Sequence, residues 1–167
     1  MHNFFVGESK SMNIKKIKEC IIKFRKATDD AFEYGAFGQD YPFSNFPHEC
    51  CDDMCDLLGQ FLIEKGLVIF KVHGTYRMDC WANQYSHVWL ILEDGMIIDL
   101  TGDQYKNDPN MLNYDIPCYM GKKNNLYNLF SEEQETYPYH GIDDYSDVET
   151  RKRLWRLYNI ILSFYTK

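Results

Sequence analysis

No stretch of the chain reaches the ~18 consecutive apolar residues that a membrane-spanning helix needs. The N-terminus, "MHNFFVGESKSMNIKK", lacks a basic start, a long apolar middle and a small-residue cleavage site, so no secretory leader is expected and the expected location is the cytoplasm. No internal repeat and no low-complexity tract interrupts the sequence, which argues against solenoids and linkers. Positive charge is also in deficit. With 18 Lys and Arg against 25 Asp and Glu the net charge is −7, which argues against a nucleic-acid partner.

What the chain does have is apolar and aromatic content, 45% and 16% of its residues, far from the composition of disordered segments. Its 167 residues fit a single domain, since a chain of about 150 residues hides ~70% of its unfolded surface on folding. Six cysteines invite a disulfide framework, but the chain is not small and Cys50 and Cys51 are adjacent, a poor arrangement for stapling. Reduced thiols are the expectation. His48, Cys50, Cys51 and Cys55 raise the question of zinc; the C-x₃-C spacing and the lack of a second downstream pair argue against it. No metal and no cofactor is expected. His73, His140, Cys20 and Cys80 are expected to be structural.

Ile14, Ile17, Ile21 and Phe24 recur at helical spacing behind a capping Asn13, which predicts a helix to about Ala27. It is basic: residues 1–27 carry Lys10, Lys15, Lys16, Lys18, Lys23, Arg25 and Lys26 against Glu8 and Glu19, read as a solvated helix face. Residues 29–47 read as an ordered, aromatic-rich loop that walls a site. A second helix is predicted over 52–65, burying Cys55, Leu58, Phe61 and Leu62 ahead of Gly66. Strands are predicted over 67–76 and 86–102, the latter run a hairpin turning at Glu93-Asp94-Gly95. Residues 103–146 yield only a short strand near 116–120. A last helix follows a Ser146/Glu149 capping box, with Leu154, Leu157, Tyr158, Ile161, Leu162 and Tyr165 on its apolar face. The expected fold class is α+β: a basic helix at 1–27, a core over 45–105, and a loop region with a closing helix over 106–167.

The chemistry gathers in "FPHECCDDMCDLLGQFL", where adjacent thiols stand at a predicted helix start. Unpaired N–H groups and the positive end of the helix dipole favour a thiolate there, and the thiolate is the nucleophilic form. A nucleophile also needs a base and an orienting group on something rigid, and the hairpin supplies His87 on one strand and Asp99 on the next. The two share a face only if paired residue numbers have an even sum, which requires an odd-numbered turn. A three-residue turn with Gly95 in the left-handed region satisfies this; a two-residue turn does not. Asp103 and Gln104 read as residues that shape the turn after the strand.

The ordered set "FPHECCDDMCDLLGQFL", "SHVWLIL" and "IIDLTGDQY" resembles a group of small bacterial proteins within the papain-like and transglutaminase-like cysteine fold, similar in layout to the arylamine N-acetyltransferases. The resemblance spans residues 45–105. It implies a helix bearing the cysteine, packed on a small antiparallel sheet between flanking terminal helices, with a Cys51–His87–Asp99 triad and Cys50 as the alternative nucleophile. Asn45 is implied as an oxyanion donor beside the Cys51 backbone N–H. The implied activity is thiol-dependent hydrolysis or transfer of an acyl group on an amide bond through a thioester, covering peptidase, amidase, glutamine deamidase and acyltransferase. The substrate is then a peptide, protein or small amide, with no nucleic-acid or membrane partner. That group usually carries small residues after the cysteine, where this chain has Asp52-Asp53-Met54. Carboxylates beside a thiolate oppose its ionisation, so the alternative is a non-enzymatic binding module that keeps the fold.

Overall fold

The computed structural model describes residues 12–78 and 84–166; Lys10 and Cys80 lie outside the described residues. The first helix, α1 (Ile14–Glu33), begins as expected, with the Asn13 side chain accepting from the Lys16 N–H at 2.9 Å. It runs six residues past Ala27 because the acids that follow sit one turn below cations: Arg25 pairs with Asp29 and Lys26 with Asp30. Ala31 is buried, and the helix stops where Gly35 takes φ 75° and the Ala36 N–H closes back on Ala31 O. The aromatic loop that follows is pinned by Phe37, Phe43 and Phe46, all buried, with ring centroids 4.8 Å (Phe37–Phe43) and 6.2 Å (Phe43–Phe46) apart.

The second helix, α2 (Cys51–Ile63), buries Cys55, Leu58, Phe61 and Leu62 as predicted. Among the described residues the sheet has five antiparallel strands: β1 (Ile69–Arg77), β2 (Gln84–Leu92), β3 (Ile97–Asp99), β4 (Tyr119–Gly121) and β5 (Glu133–Tyr139), in the order β4-β3-β2-β1-β5. A one-turn helix, α3 (Asn125–Asn128), precedes β5, and α4 (Val148–Tyr165) closes the chain. Its cap is Asp147, which accepts from the Thr150 N–H at 2.7 Å, one residue beyond the Ser146 expected.

The fold class is therefore α+β. Cross-strand pairing puts alternate residues on opposite faces of the sheet. One face, bearing Ile69, Val88, Leu90 and Ile98, shares a core with α1, α2 and α4. The other bears Val72, Trp89 and Ile97 and packs on Tyr105, Met111, Leu126, Tyr127 and Phe130. Among the described residues no helix is long and apolar enough to cross a membrane.

The β2–β3 hairpin has the odd turn. Leu90 pairs with Ile98 and Ile91 with Ile97, the Leu92 N–H donates to Met96 O at 3.0 Å, and Gly95 sits at φ 81°. His87 and Asp99 thus point to the same side. Valine at position 95 would force a β-branched residue into the left-handed region, so Gly95→Val should cost about 1–2 kcal/mol or more. Gly95→Asn, which tolerates that conformation, should lower the melting temperature far less; equal losses would show that the turn is not held at positive φ.

Candidate active site

Three elements bring the site together. Cys51 is the first residue of α2, and the first intrahelical bond runs from the Met54 N–H to Cys50 O, leaving the N–H groups of 51–53 without helical acceptors. His87 comes from β2 and Asp99 from the end of β3. The imidazole is wholly buried, and its Nε2 lies 2.7 Å from Asp99 Oδ2. The Cys51 sulfur is near enough to act on the charge of the same ring. With Nε2 committed to Asp99, the ring nitrogen left for sulfur is Nδ1.

Asp99 is held from both sides. Oδ2 also accepts from the buried Tyr127 hydroxyl at 2.9 Å, and Oδ1 accepts from the Thr101 N–H at 2.9 Å and the Thr101 hydroxyl at 3.2 Å. Burial by itself would raise this carboxyl; His87, Thr101 and Tyr127 outweigh it and keep the pKa below the ordinary value. For His87, burial opposes the imidazolium, but Asp99 and the ionised Cys51 sulfur together overcome it and raise the pKa to about 10. The ring is walled by Trp89, Tyr105 and Phe130, with centroids 5.8, 5.4 and 5.9 Å away. Gly74, opposite His87 on β1, makes that wall possible, because a Cβ there would lie 2.7 Å from Phe130 and 2.8 Å from Trp89.

Comparison with protein-family models, curated proteins and solved structures returned no match. What can be said of the site comes from its geometry.

The two adjacent thiols are unlike each other. Cys51 is half-buried and meets His87; Cys50 is buried and donates to Pro47 O at 3.3 Å, and burial above all, with the neighbouring Cys51 and Asp53, pushes its pKa far up. Asn45 ends a short 3₁₀ turn (Phe43–Asn45) and is exposed; among the described residues its side chain has no hydrogen bond to Cys51, His87 or Asp99. The amide at the ring belongs instead to Gln104, whose Nε2 lies 3.2 Å from His87 Nδ1 and donates to Thr101 O at 3.1 Å.

Asp52 and Asp53 are each tied to a cation: Asp52 to Lys71 at 2.6 Å and Asp53 to Arg153 at 2.6 Å. The negative charge in the first turn of α2 is therefore compensated beside the thiol. Arg25 secures the other wall of the site. Its buried guanidinium donates to Leu100 O and Pro117 O, both at 2.7 Å, and grips Asp103 with two bonds of 2.9 and 2.8 Å, so α1 anchors the segment that carries Gln104.

Tyr127 and Gly74 had no role assigned from sequence; Gln104 was expected only to shape the turn after the strand, and Arg25, expected on a solvated helix face, is buried because Asp103 and two backbone carbonyls take its guanidinium. A glycine inside a strand and an amide three residues past "DLT" were the available signals. Tyr127 and Arg25 lie 28 and 78 residues from the partners they hold, Asp99 and Asp103, and nothing local marks them.

Proposed function

We propose that this chain is a cysteine-nucleophile acyl hydrolase or acyltransferase acting on amide bonds, built on a papain-like or transglutaminase-like core, with Cys51 as nucleophile, His87 as base and Asp99 as its orienter. The observation that carries this reading is one imidazole, fully buried, bonded to a carboxylate that accepts from four donors, with a thiol at a helix N-terminus near enough to act on its charge.

In the reaction, His87 Nδ1 takes the proton as Cys51 Sγ bonds to the acyl carbon. Asp99 holds the Nε2–H tautomer and stabilises the imidazolium. Charge gathering on the acyl oxygen meets the free N–H of Cys51, aided by the helix dipole. The imidazolium then returns its proton to the departing amine. A thioester remains, which water or a second amine resolves with His87 again acting as base. Peptidase, amidase, deamidase and acyltransferase share these steps and differ in what resolves the thioester.

The binding-module alternative drew on Asp52 and Asp53 beside the sulfur, and both carboxylates are engaged by Lys71 and Arg153. Labelling separates the two readings. Iodoacetamide at pH 7 should modify Cys51 about tenfold or more faster than Cys20, since an ordinary thiol is only a few per cent ionised there. Labelling of Cys51 at the rate of Cys20 would favour the module. Cys51→Ala and Cys51→Ser should also fold, with melting temperatures lowered less than by Leu58→Ala, which empties the core.

A further inference from the structure

A single lone pair at the centre of the site is faced by a side-chain amide. With its Nε2–H given to Asp99, neutral His87 has a single in-plane lone pair, on Nδ1. The Gln104 amide nitrogen stands 3.2 Å from Nδ1, and the Cys51 proton must reach the same nitrogen if His87 is its base. The orientation of that amide is dictated by its other partner: Thr101 O, 3.1 Å away, can only accept, so the NH₂ end must face both Thr101 O and Nδ1.

We infer that Gln104 competes with the Cys51 proton for the Nδ1 lone pair and thereby opposes protonation of His87. Once the proton moves from Sγ to Nδ1, the lone pair becomes an N–H, and the hydrogen bond from Gln104 must break because two donors then face each other. Turning the amide over does not relieve this, since it would set Oε1 against Thr101 O. Gln104 is thus a positioning residue that opposes loading of the base, against an Asp99 that promotes it.

The other groups at the ring leave Gln104 as the lever. Asp99 from β3 favours the cation, and the Cys51 thiol from α2 is the proton donor. Tyr105 from the 3₁₀ turn at 102–105 presents a ring edge and gives its hydroxyl to Ser86 O; Trp89 and Phe130 are uncharged; Tyr127 acts only through Asp99.

The inference concerns the base of the proposed triad and rests on that reading, but its test does not need turnover. The His87 ring is titrated by ¹⁵N NMR between pH 5 and 11 in Cys51→Ala, where no thiol competes, and in Cys51→Ala combined with Gln104→Leu. Losing one hydrogen bond to the neutral form should raise the His87 pKa by up to about one unit. Gln104→Glu, whose carboxylate accepts from an Nδ1–H, should raise it at least as far. Gln104→Met carries the same expectation as leucine if the leucine variant does not fold; Thr101 O keeps the Gln104 backbone N–H in every case. With Cys51 present, Gln104→Leu should speed iodoacetamide labelling at pH 7. A His87 pKa that is unchanged or lowered, or labelling that slows, overturns the proposal. If the pKa rises while wild-type Cys51 labels no faster than Cys20, the acyl-transfer reading fails and the competition at Nδ1 stands; the converse result removes the competition alone.

Discussion

His87→Ala should bring labelling of Cys51 by iodoacetamide at pH 7 down to the rate of Cys20, a loss of about tenfold or more. Asp99→Asn should fall between this variant and the wild type, and the reason lies in which hydrogen atoms can move. Asp99 accepts from four donors, and an asparagine must turn a donor toward some of them. The Thr101 backbone N–H cannot become an acceptor, so the new NH₂ faces His87 and Tyr127. Tyr127 can rotate its hydroxyl, but His87 answers only by shifting its proton to Nδ1, the nitrogen that should receive the thiol proton. The loss should still be smaller than the ~10⁴-fold that trapping the wrong tautomer causes in serine proteases, because a thiol is the more acidic nucleophile. The check is the rate of Cys51 alkylation against pH in wild type, His87→Ala and Asp99→Asn. Three coincident profiles would show that no ion pair forms, and the binding-module reading would then replace the enzymatic one.

The largest stability effect should come from Lys71→Met. Lys71 is buried on the face of β1 that meets α2, and its Nζ lies 2.6 Å from both Asp56 and Asp52. Burial would lower its pKa, but these two carboxylates more than offset that and raise it. Asp56 is just as buried, and for it burial dominates: although Lys71 and the Tyr145 hydroxyl stabilise the carboxylate, its pKa rises to about 6. Methionine fills the volume but leaves a buried carboxylate without its cation, a change that costs about 3–5 kcal/mol. The pH dependence has a definite sign. A carboxyl raised from 3.8 to about 6 contributes fully below 3.8 and loses that contribution as pH rises through 6. Without Lys71 its pKa rises further, so the deficit should be largest above pH 6 and shrink on acidification as Asp56 becomes neutral. Adding Asp56→Asn should restore most of the loss at pH 7. Denaturant melts of the single and double variants at pH 4.5 and 7.5 measure this; a pH-independent deficit would show that Lys71 acts through packing alone.

Elements with strong local signals were legible. The helical spacing from Ile14, the apolar face of α2 and the Glu93-Asp94-Gly95 turn all depend on residues close in sequence, and parity then put His87 and Asp99 on one face. Strand β5 was missed because it is an edge strand: six of its seven residues are exposed, so it shows no apolar alternation, and Pro138 argues against a strand interior. The strand near 116–120 formed only over Tyr119–Gly121, where it pairs with β3. Asn45 was implied by the family resemblance, yet the amide that reaches the ring is Gln104, carried there by the turn after β3.

By itself the sequence determined the chemistry on offer: a thiol at a helix start, an imidazole and a carboxylate on neighbouring strands, and a turn compatible with their meeting. Those are matters of short-range periodicity and dihedral preference. Only the tertiary structure decided which of two adjacent thiols is buried on Pro47 and which lies nearer His87, that Asp52 and Asp53 are each paired with a cation, and that Gln104 and Tyr127 complete the hydrogen bonds of His87 and Asp99. These depend on partners up to 100 residues apart. In a buried, low-dielectric site every polar group must find a partner, and that partner is set by packing rather than by its neighbours along the chain.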